Sequence, residues 1–156
     1  MLFNFQFGLT VFISDIVEDQ ISESMKSEDF RRKESGGILI GYIEPLNRLI
    51  TITDITYPQR KDLRSPYRFV RNQDGHQEIM DDLWERSNFE KLYLGEWHTH
   101  CTNKTTPSSK DIFEWKRIAS MRHNTPIVLF LIVVVGKASL WTVHGGEIYQ
   151  ANEVLQ

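Results

Sequence analysis

The spacing H-x-H, seven residues, then S-x-x-D, at His98, His100, Ser108 and Asp111, restricts the local fold of this chain more than any other feature. Two histidines two apart at the end of an apolar segment read as a strand end. Period two puts both imidazoles on one face and Thr99 on the other. S-x-x-D before an apolar helical pattern reads as a helix start, with Ser108 at the cap and Asp111 in the first turn. A strand end, a short loop and a helix start can thus bring Asp111 beside the two histidines. His98, His100 and Asp111 then offer nitrogen and oxygen donors to one zinc ion. Three protein ligands leave a fourth position open, the arrangement of a catalytic rather than a structural site. A water there becomes acidic enough to attack a carbonyl near neutral pH.

Each half of the pattern is ordinary alone. H-x-H is usually a pair of surface or core histidines, and S-x-x-D is usually a helix cap. The full spacing is much harder to reach by chance. Glu34 lies directly before an apolar run and so belongs to a separate strand, approaching from another side to act on the water rather than the metal. Capping and catalysis are compatible at Ser108, because a helix N-terminus has free N–H groups and a positive dipole end.

The chain has 156 residues and suits one domain, residues 1–156, with one sizeable core. Its 18 basic and 21 acidic side chains give a net charge of -3, which offers no general footprint for nucleic acid. The single cysteine, Cys101, forbids an internal disulfide and fits a reducing compartment. The N-terminal apolar stretch lacks preceding basic residues and makes a poor secretory signal. The longest apolar run, Pro126 to Val135, is too short to span a bilayer. These features point to a soluble cytoplasmic protein without membrane or nucleic-acid partners.

Hydrophobic periodicity sets out the elements. Leu2 to Asp15 alternates enough for one or two short strands, and Asp15 can cap a helix carrying Ile16, Val17, Ile21 and Met25. Gly36 to Tyr42 and Leu49 to Tyr57 read as a strand and its hairpin partner. Pro58 to Asn72 reads as a long, irregular, basic connection. Asp74 and Gln77 resemble a capping pair for a helix whose buried stripe is Ile79, Met80, Leu83 and Trp84. Leu92 to Trp97 is a strand, and a helix opened by Ser108 presents Ile112, Trp115 and Ala119 on one face. Ile127 to Val135 and Ser139 to His144 close the pattern, followed by a Gly145-Gly146 turn and a short tail strand. The expected class is α/β or α+β, a mixed sheet flanked by about three helices.

The segments E-S-G-G-I-L-I-G from Glu34, T-Y-P…D-L-R, F-V-R, H-Q-E, and Y-L-G-E-W-H-T-H with P-S-x-x-D run through almost the whole chain. Together they resemble the JAMM motif of the JAB/MPN metalloprotease domain. The fuller series is similar to the JAB isopeptidases of bacterial CBASS anti-phage operons and mobile elements. The resemblance implies a curved, cytidine-deaminase-like sheet and a JAMM zinc metallopeptidase, a hydrolase of the deubiquitinase kind. It implies that His98, His100 and Asp111 bind zinc. Glu34 would be the general base that returns a proton to the leaving amine, and Ser108 would position the water or stabilise the oxyanion. The implied substrate is a protein joined to a ubiquitin-like C-terminus, in this branch the conjugates of a cyclic-oligonucleotide synthase (CD-NTase). Two further readings remain open: a JAB hydrolase of small sulfur-carrier proteins, and an inactive MPN scaffold that only binds proteins. The complete ligand set argues against the scaffold.

One departure from the pattern is Cys101, where the branch commonly has proline. Its thiolate could bind the metal, or the residue could simply fill a half-buried gap. Glu96 shares the parity of His98 and could support the metal site from behind, or be an ordinary polar residue at a strand end. His76 reads as packing or capping, His123 and His144 as surface or turn, and Trp84 and Trp115 as core. The basic stretch Arg60 to Arg71 could meet an acidic partner but reads first as a solvated loop. It matches a variable insertion near the substrate groove of related JAMM enzymes. Gly36 and Gly37 could admit an extended substrate tail as an added strand, or mark a bulge.

Overall fold

The computed structural model describes residues 1–121 and 123–155. Eleven strands and four helices run in the order β1 (Leu2–Asn4), β2 (Thr10–Ile13), α1 (Asp15–Ser24), α2 (Glu28–Arg32), β3 (Gly36–Glu44), β4 (Leu49–Ile55), β5 (Leu63–Ser65), β6 (Arg68–Val70), α3 (His76–Arg86), β7 (Leu92–Thr99), α4 (Ser109–Ala119), β8 (Leu129–Val134), β9 (Lys137–His144), β10 (Glu147–Gln150) and β11 (Asn152–Glu153). Nine of the strands form one mixed sheet in the order β10-β9-β8-β7-β3-β4-β2-β1-β11, and β5 pairs only with β6. The two edges of the large sheet, β10 and β11, are separated in sequence by Ala151 alone. The sheet must therefore curl until its edges nearly meet, and Phe7 beside Tyr149 bridges the seam edge to face at 6.1 Å.

The apolar run at 126–135 is explained by β8, whose six residues are all buried. Leu129, Leu131 and Val133 enter the main core with Leu39, Leu94, Trp97 and the α1 residues Val17 and Ile21. Phe130 and Ile132 point the other way, onto Trp115 and Ile118 of α4. A strand covered on both faces has no polar side to show. On the same outer side, Met80 of α3 packs on Ile38 and Ile40.

One irregularity in β7 matters for the site. Its register with β3 jumps from Leu39↔Gly95 to Ile40↔Tyr93, so Leu94 is an extra residue. Such a bulge re-aims the side chains that follow. Here it lets Leu94 and Trp97 enter one core while Tyr93, Glu96 and His98 share the opposite face. Gly95 sits at φ +148°, and a Cβ there would meet the Leu129 carbonyl oxygen at 1.8 Å.

Several local expectations are corrected. Ser14, not Asp15, caps α1, accepting from Val17 N–H at 3.4 Å. Ile16 is exposed, leaving Val17 and Ile21 as the buried face. Among the described residues the helices number four, because Ser27 caps the short α2 that the sequence pattern did not signal. Residues 58–72 are not wholly irregular but fold into the β5–β6 hairpin. At α3 the cap is Gly75 at φ +83°, whose N–H donates to Glu78 Oε2 at 2.5 Å. Glycine has no side chain to complete a capping box, so this is a one-sided cap. Asp74 instead pairs with Lys61, and Gln77 reaches Asp81. Of the expected stripe only Met80 is fully buried among the apolar residues, and Trp84 is not core but 41% exposed, stacked edge-on against Phe89.

The deepest polar network ties the 57–72 loop to the body. His76, 1% exposed, meets Asp62 Oδ2 at 2.9 Å and Thr56 Oγ1 at 2.6 Å. Asp62 also accepts from the backbone N–H of Gln59 and Asn72, both at 2.7 Å. Thr56 Oγ1 accepts in turn from Ile38 N–H at 2.9 Å. His76 is therefore a packed member of this buried network. His76→Ala strips a buried carboxylate of one partner and leaves a cavity, for an expected loss of about 2–4 kcal/mol. Urea unfolding measures it, and an unchanged midpoint would contradict the structural role given to this network.

Candidate metal centre

The end of β7 is zipped to the segment that enters β3. His98 pairs with Gly36 across the strands. Thr99 N–H donates to the Ser35 carbonyl at 2.7 Å, and Thr99 Oγ1 accepts from Ser35 N–H at 3.0 Å. Thr99 thus points into the body while His98 and His100 project to the opposite side, and Glu34 is carried to the same place. β7 continues through a loop and α4 into β8, which lies parallel to β7. The site therefore forms at the carboxyl end of a parallel strand, where open α/β sheets place their ligands.

Asp111 reaches this point through its own capping duty. Ser108 Oγ accepts from Asp111 N–H at 3.2 Å, and the Asp111 carboxylate accepts from Ser108 N–H at 2.6 Å. That reciprocal box curls the side chain back over the helix start. Asp111 Oδ1 then lies 3.3 Å from His98 Nε2, Asp111 Oδ2 lies 3.4 Å from His100 Nε2, and the two Nε2 atoms are 3.1 Å apart. The three ligand atoms converge within 4.8 Å. A tetrahedron with metal–ligand bonds of 2.0–2.1 Å has edges of roughly 3.3–3.4 Å, so the spacing suits a tetrahedral cation.

The tautomers suit it too. His100 Nδ1 lies 2.8 Å from the Lys104 carbonyl, which can only accept. In neutral His100 the proton is therefore on Nδ1, and Nε2 turns a lone pair to the cluster. This outer hydrogen bond is the orienting contact that metal-bound histidines commonly have. No side-chain pattern announces it, because its partner is a backbone carbonyl in the 101–107 loop. That loop is anchored by Thr105, whose Oγ1 accepts from Ser139 Oγ at 2.8 Å.

The charges agree with a cation site. Burial alone would raise Asp111, but bonds from His100, His98 and Ser108 outweigh it and hold the carboxyl well below the usual carboxylate range. Burial would lower His100, but its bonds to Asp111 and Lys104 and the charge of Glu34 carry it above its ordinary value. Glu34 is 8% exposed. Burial pushes its carboxyl up, with His98 and His100 pulling against that shift. A carboxylate whose proton affinity is raised by burial is better suited to take a proton than an exposed one.

The remaining sequence candidates are placed as follows. Cys101 is half-buried and outside the converging ligand set, and burial, then the charge of Glu34, pushes its thiol up rather than toward thiolate. Glu96 shares the face of His98 but is held by Arg71, at 2.9 Å from Nε and 2.8 Å from a terminal nitrogen, with Tyr93 Oη at 3.5 Å. Gly36 and Gly37 are explained by close packing rather than by a bulge of their own. Both pair with β7 on one side, and a Cβ on either glycine would meet a neighbouring carbonyl oxygen at 2.1 Å, of Trp97 for Gly36 and of Thr56 for Gly37. The basic segment is largely committed within the chain: Lys61 to Asp74, Arg64 to Asp29 and Arg71 to Glu96. His123 stacks on Tyr93 at 5.5 Å rather than lying free at the surface, and Trp115 is core as expected. His98 and Asp111 open onto a groove of about 570 Å³ walled by Phe69 of β6, Met80 of α3 and Trp115 of α4.

Residues 16–148 match the family described as prokaryotic homologs of the JAB domain. Three curated relatives are named CD-NTase/cGAS isopeptidase. The Vibrio cholerae protein is 34% identical over 108 residues, 69% of this chain and 65% of that one. The Escherichia coli protein is 33% identical over 118 residues, 76% and 71%. The Pseudomonas aeruginosa protein is 35% identical over 108 residues, 69% and 66%. The matches thus span about two-thirds of the relatives' length. Among solved structures, protein DSY2949 of Desulfitobacterium hafniense superposes with a TM-score of 0.59 over 90% of this chain and 88% of its own, at 18% identity. That likeness concerns the fold, which agrees with a mixed curved sheet of the JAB kind. With the family match running from α1 to β10, the chain belongs to the prokaryotic JAB-domain family.

Proposed function

We propose that this chain is a zinc-dependent isopeptidase that cuts a protein from its link to a ubiquitin-like C-terminus. The observation that carries the reading is the meeting of His98 Nε2, His100 Nε2 and the Asp111 carboxylate at 3.1–3.4 Å beside buried Glu34. Isopeptidase relatives in three bacteria support it. Their names point to conjugates of a CD-NTase as the substrate. Among the described residues no helix is long and apolar enough to cross a membrane.

His98, His100 and Asp111 would hold the ion, which when bound supplies Lewis acidity and makes a water nucleophilic near neutral pH. Glu34 takes the proton of the attacking water as its oxygen bonds to the isopeptide carbonyl carbon. Glu34 then gives that proton to the departing lysine amine as the C–N bond breaks, leaving a free carboxylate tail. Ser108 Oγ already accepts from Asp111 N–H. A hydroxyl has one hydrogen to donate besides its acceptor sites, so Ser108 can still bond the oxyanion. The groove beside His98 and Asp111 seats the tail.

Cleavage of a synthase joined through its C-terminus to a second protein, with and without chelator, tests the reading. Full turnover in chelator would sink it. Glu34→Gln is expected to keep fold and zinc while turnover falls by about 10²–10⁴. A zinc-loaded Glu34→Gln enzyme that cleaves at the wild-type rate would remove Glu34 from its role.

Zinc and protons compete for the histidines, since the metal binds neutral imidazole. Burial would lower His100, but its bonds to Asp111 and Lys104 carry it above the ordinary imidazole value. Protonation therefore begins to expel zinc at a higher pH than for an ordinary histidine. Zinc affinity, titrated with a competing chelator, should fall as pH drops through a midpoint above that of an ordinary imidazole and hold level at higher pH. Affinity unchanged down to the ordinary carboxylate range would show that the imidazoles are not ligands.

A further inference from the structure

Glu34 is held by more than its own strand. β3 begins two residues later, at Gly36, so Glu34 lies just outside the regular ladder. The β5–β6 hairpin takes over there. Glu34 N–H donates to the Ser65 carbonyl at 2.9 Å. Arg64 Nε donates to the Glu34 carbonyl at 3.2 Å. One terminal nitrogen of Arg64 bonds Ser35 Oγ, and the other bonds Asp29 Oδ2 of α2 at 2.6 Å. Phe30 of α2 covers the guanidinium at 5.4 Å. All three nitrogens of the fork are engaged, and the side chain is only 18% exposed. On the partner strand, Phe69 packs so closely on Gly36 that a Cβ there would sit 2.9 Å from its ring.

This arrangement differs from an exposed ion pair. The Arg64–Asp29 pair alone would contribute little to stability. Its value lies in direction: a planar fork fixes three acceptors from two segments, α2 and residues 34–35, at once, which a lysine ammonium cannot do. Two of those acceptors are Glu34 and Ser35 themselves. Arg64 is absent from the lining of the groove, while β6 of the same hairpin forms part of its wall.

We propose that Arg64 is a positioning residue for Glu34, clamping the β5–β6 hairpin onto residues 34–35 so that the carboxylate stays beside the metal ligands. The inference rests on the isopeptidase reading for its effect on turnover, but the clamp itself can be tested without it. Displacing a proton-transfer group by about 1 Å can cost on the order of 10²-fold in rate. The loss should appear in kcat, because neither the metal ligands nor the groove residues are changed.

The experiment compares wild type, Arg64→Ala, Arg64→Lys and Glu34→Gln as full-length, zinc-loaded protein. Zinc content, thermal melting, kcat and KM on the linked synthase fusion, and amide hydrogen exchange at Glu34 and Ser35 are measured together. Zinc content should be the same in all four. Arg64→Ala should lose about 10²-fold in kcat with KM changed far less, and millimolar guanidinium should restore part of it. Arg64→Lys should lose kcat without recovery, and both Arg64 variants should exchange the Glu34 amide faster. Wild-type kcat in a folded Arg64 variant overturns the inference, as does an unchanged Glu34 exchange rate. If loaded wild type cleaves no conjugate, the isopeptidase reading fails while the exchange rates still decide the clamp. Should Arg64→Ala fail to fold, Arg64→Lys carries the same comparison.

Discussion

In the first turn of α4, the backbone N–H of Ser108 holds the Asp111 carboxylate, and that bond does two things at once. It satisfies a helix N–H that has no partner within the helix, and it turns the carboxylate back toward the end of β7. Without this return, Asp111 would point along the helix surface and His98 and His100 would lack an anionic partner. The helix start itself favours negative charge there. The same carboxylate is thus placed by capping and poised by electrostatics, and the two contributions reinforce each other.

Around that anchor the fold supplies a different support for each functional side chain. The β3–β7 pairing, which sets Gly36 opposite His98, brings Glu34 just before β3 to the same place, and the bulge at Leu94 re-aims β7 so that Glu96 and His98 share the groove face. The 101–107 loop turns a backbone carbonyl onto His100, fixing which nitrogen is free. The β5–β6 hairpin closes over Glu34 from outside. Two of the four arginines in what looks in sequence like a solvated basic run are spent on internal partners: Arg64 on Asp29, Ser35 and the Glu34 carbonyl, Arg71 on Glu96. The groove that remains open beside His98 and Asp111 mixes apolar side chains such as Phe69, Met80 and Trp115 with charged ones such as Arg68, Lys110, Glu114 and Arg117.

Much of the framework was legible from spacing alone. β3, β7, β8 and α4 fall where apolar periodicity places them, because each buries a regular face. The errors lie where one side chain could serve two roles. Asp15 and Asp74 are good cap residues, yet Ser14 and Gly75 take the caps, a contest decided by where the incoming chain bends. Ile16 and Trp84 fit helical stripes, but no second layer covers them. The short α2 has no apolar periodicity of its own and depends on Phe30 and Asp29 meeting Arg64.

For the site, the identities of His98, His100, Asp111, Glu34 and Ser108 can be read from the chain, because strand parity and the capping box are local rules acting over two or three residues. Their meeting is another matter. Glu34 is 64 residues from His98, and only the β3–β7 register brings them together. Lys104, Ser65 and Thr56 enter through backbone or hydroxyl groups that carry no distinctive sequence mark. Which arginine is free, which nitrogen of His100 is open and which way Glu96 turns depend on partners distant in the chain. Local hydrogen bonding and periodicity therefore specify the chemical groups, while long-range strand pairing and the hairpin's side-chain contacts decide their geometry.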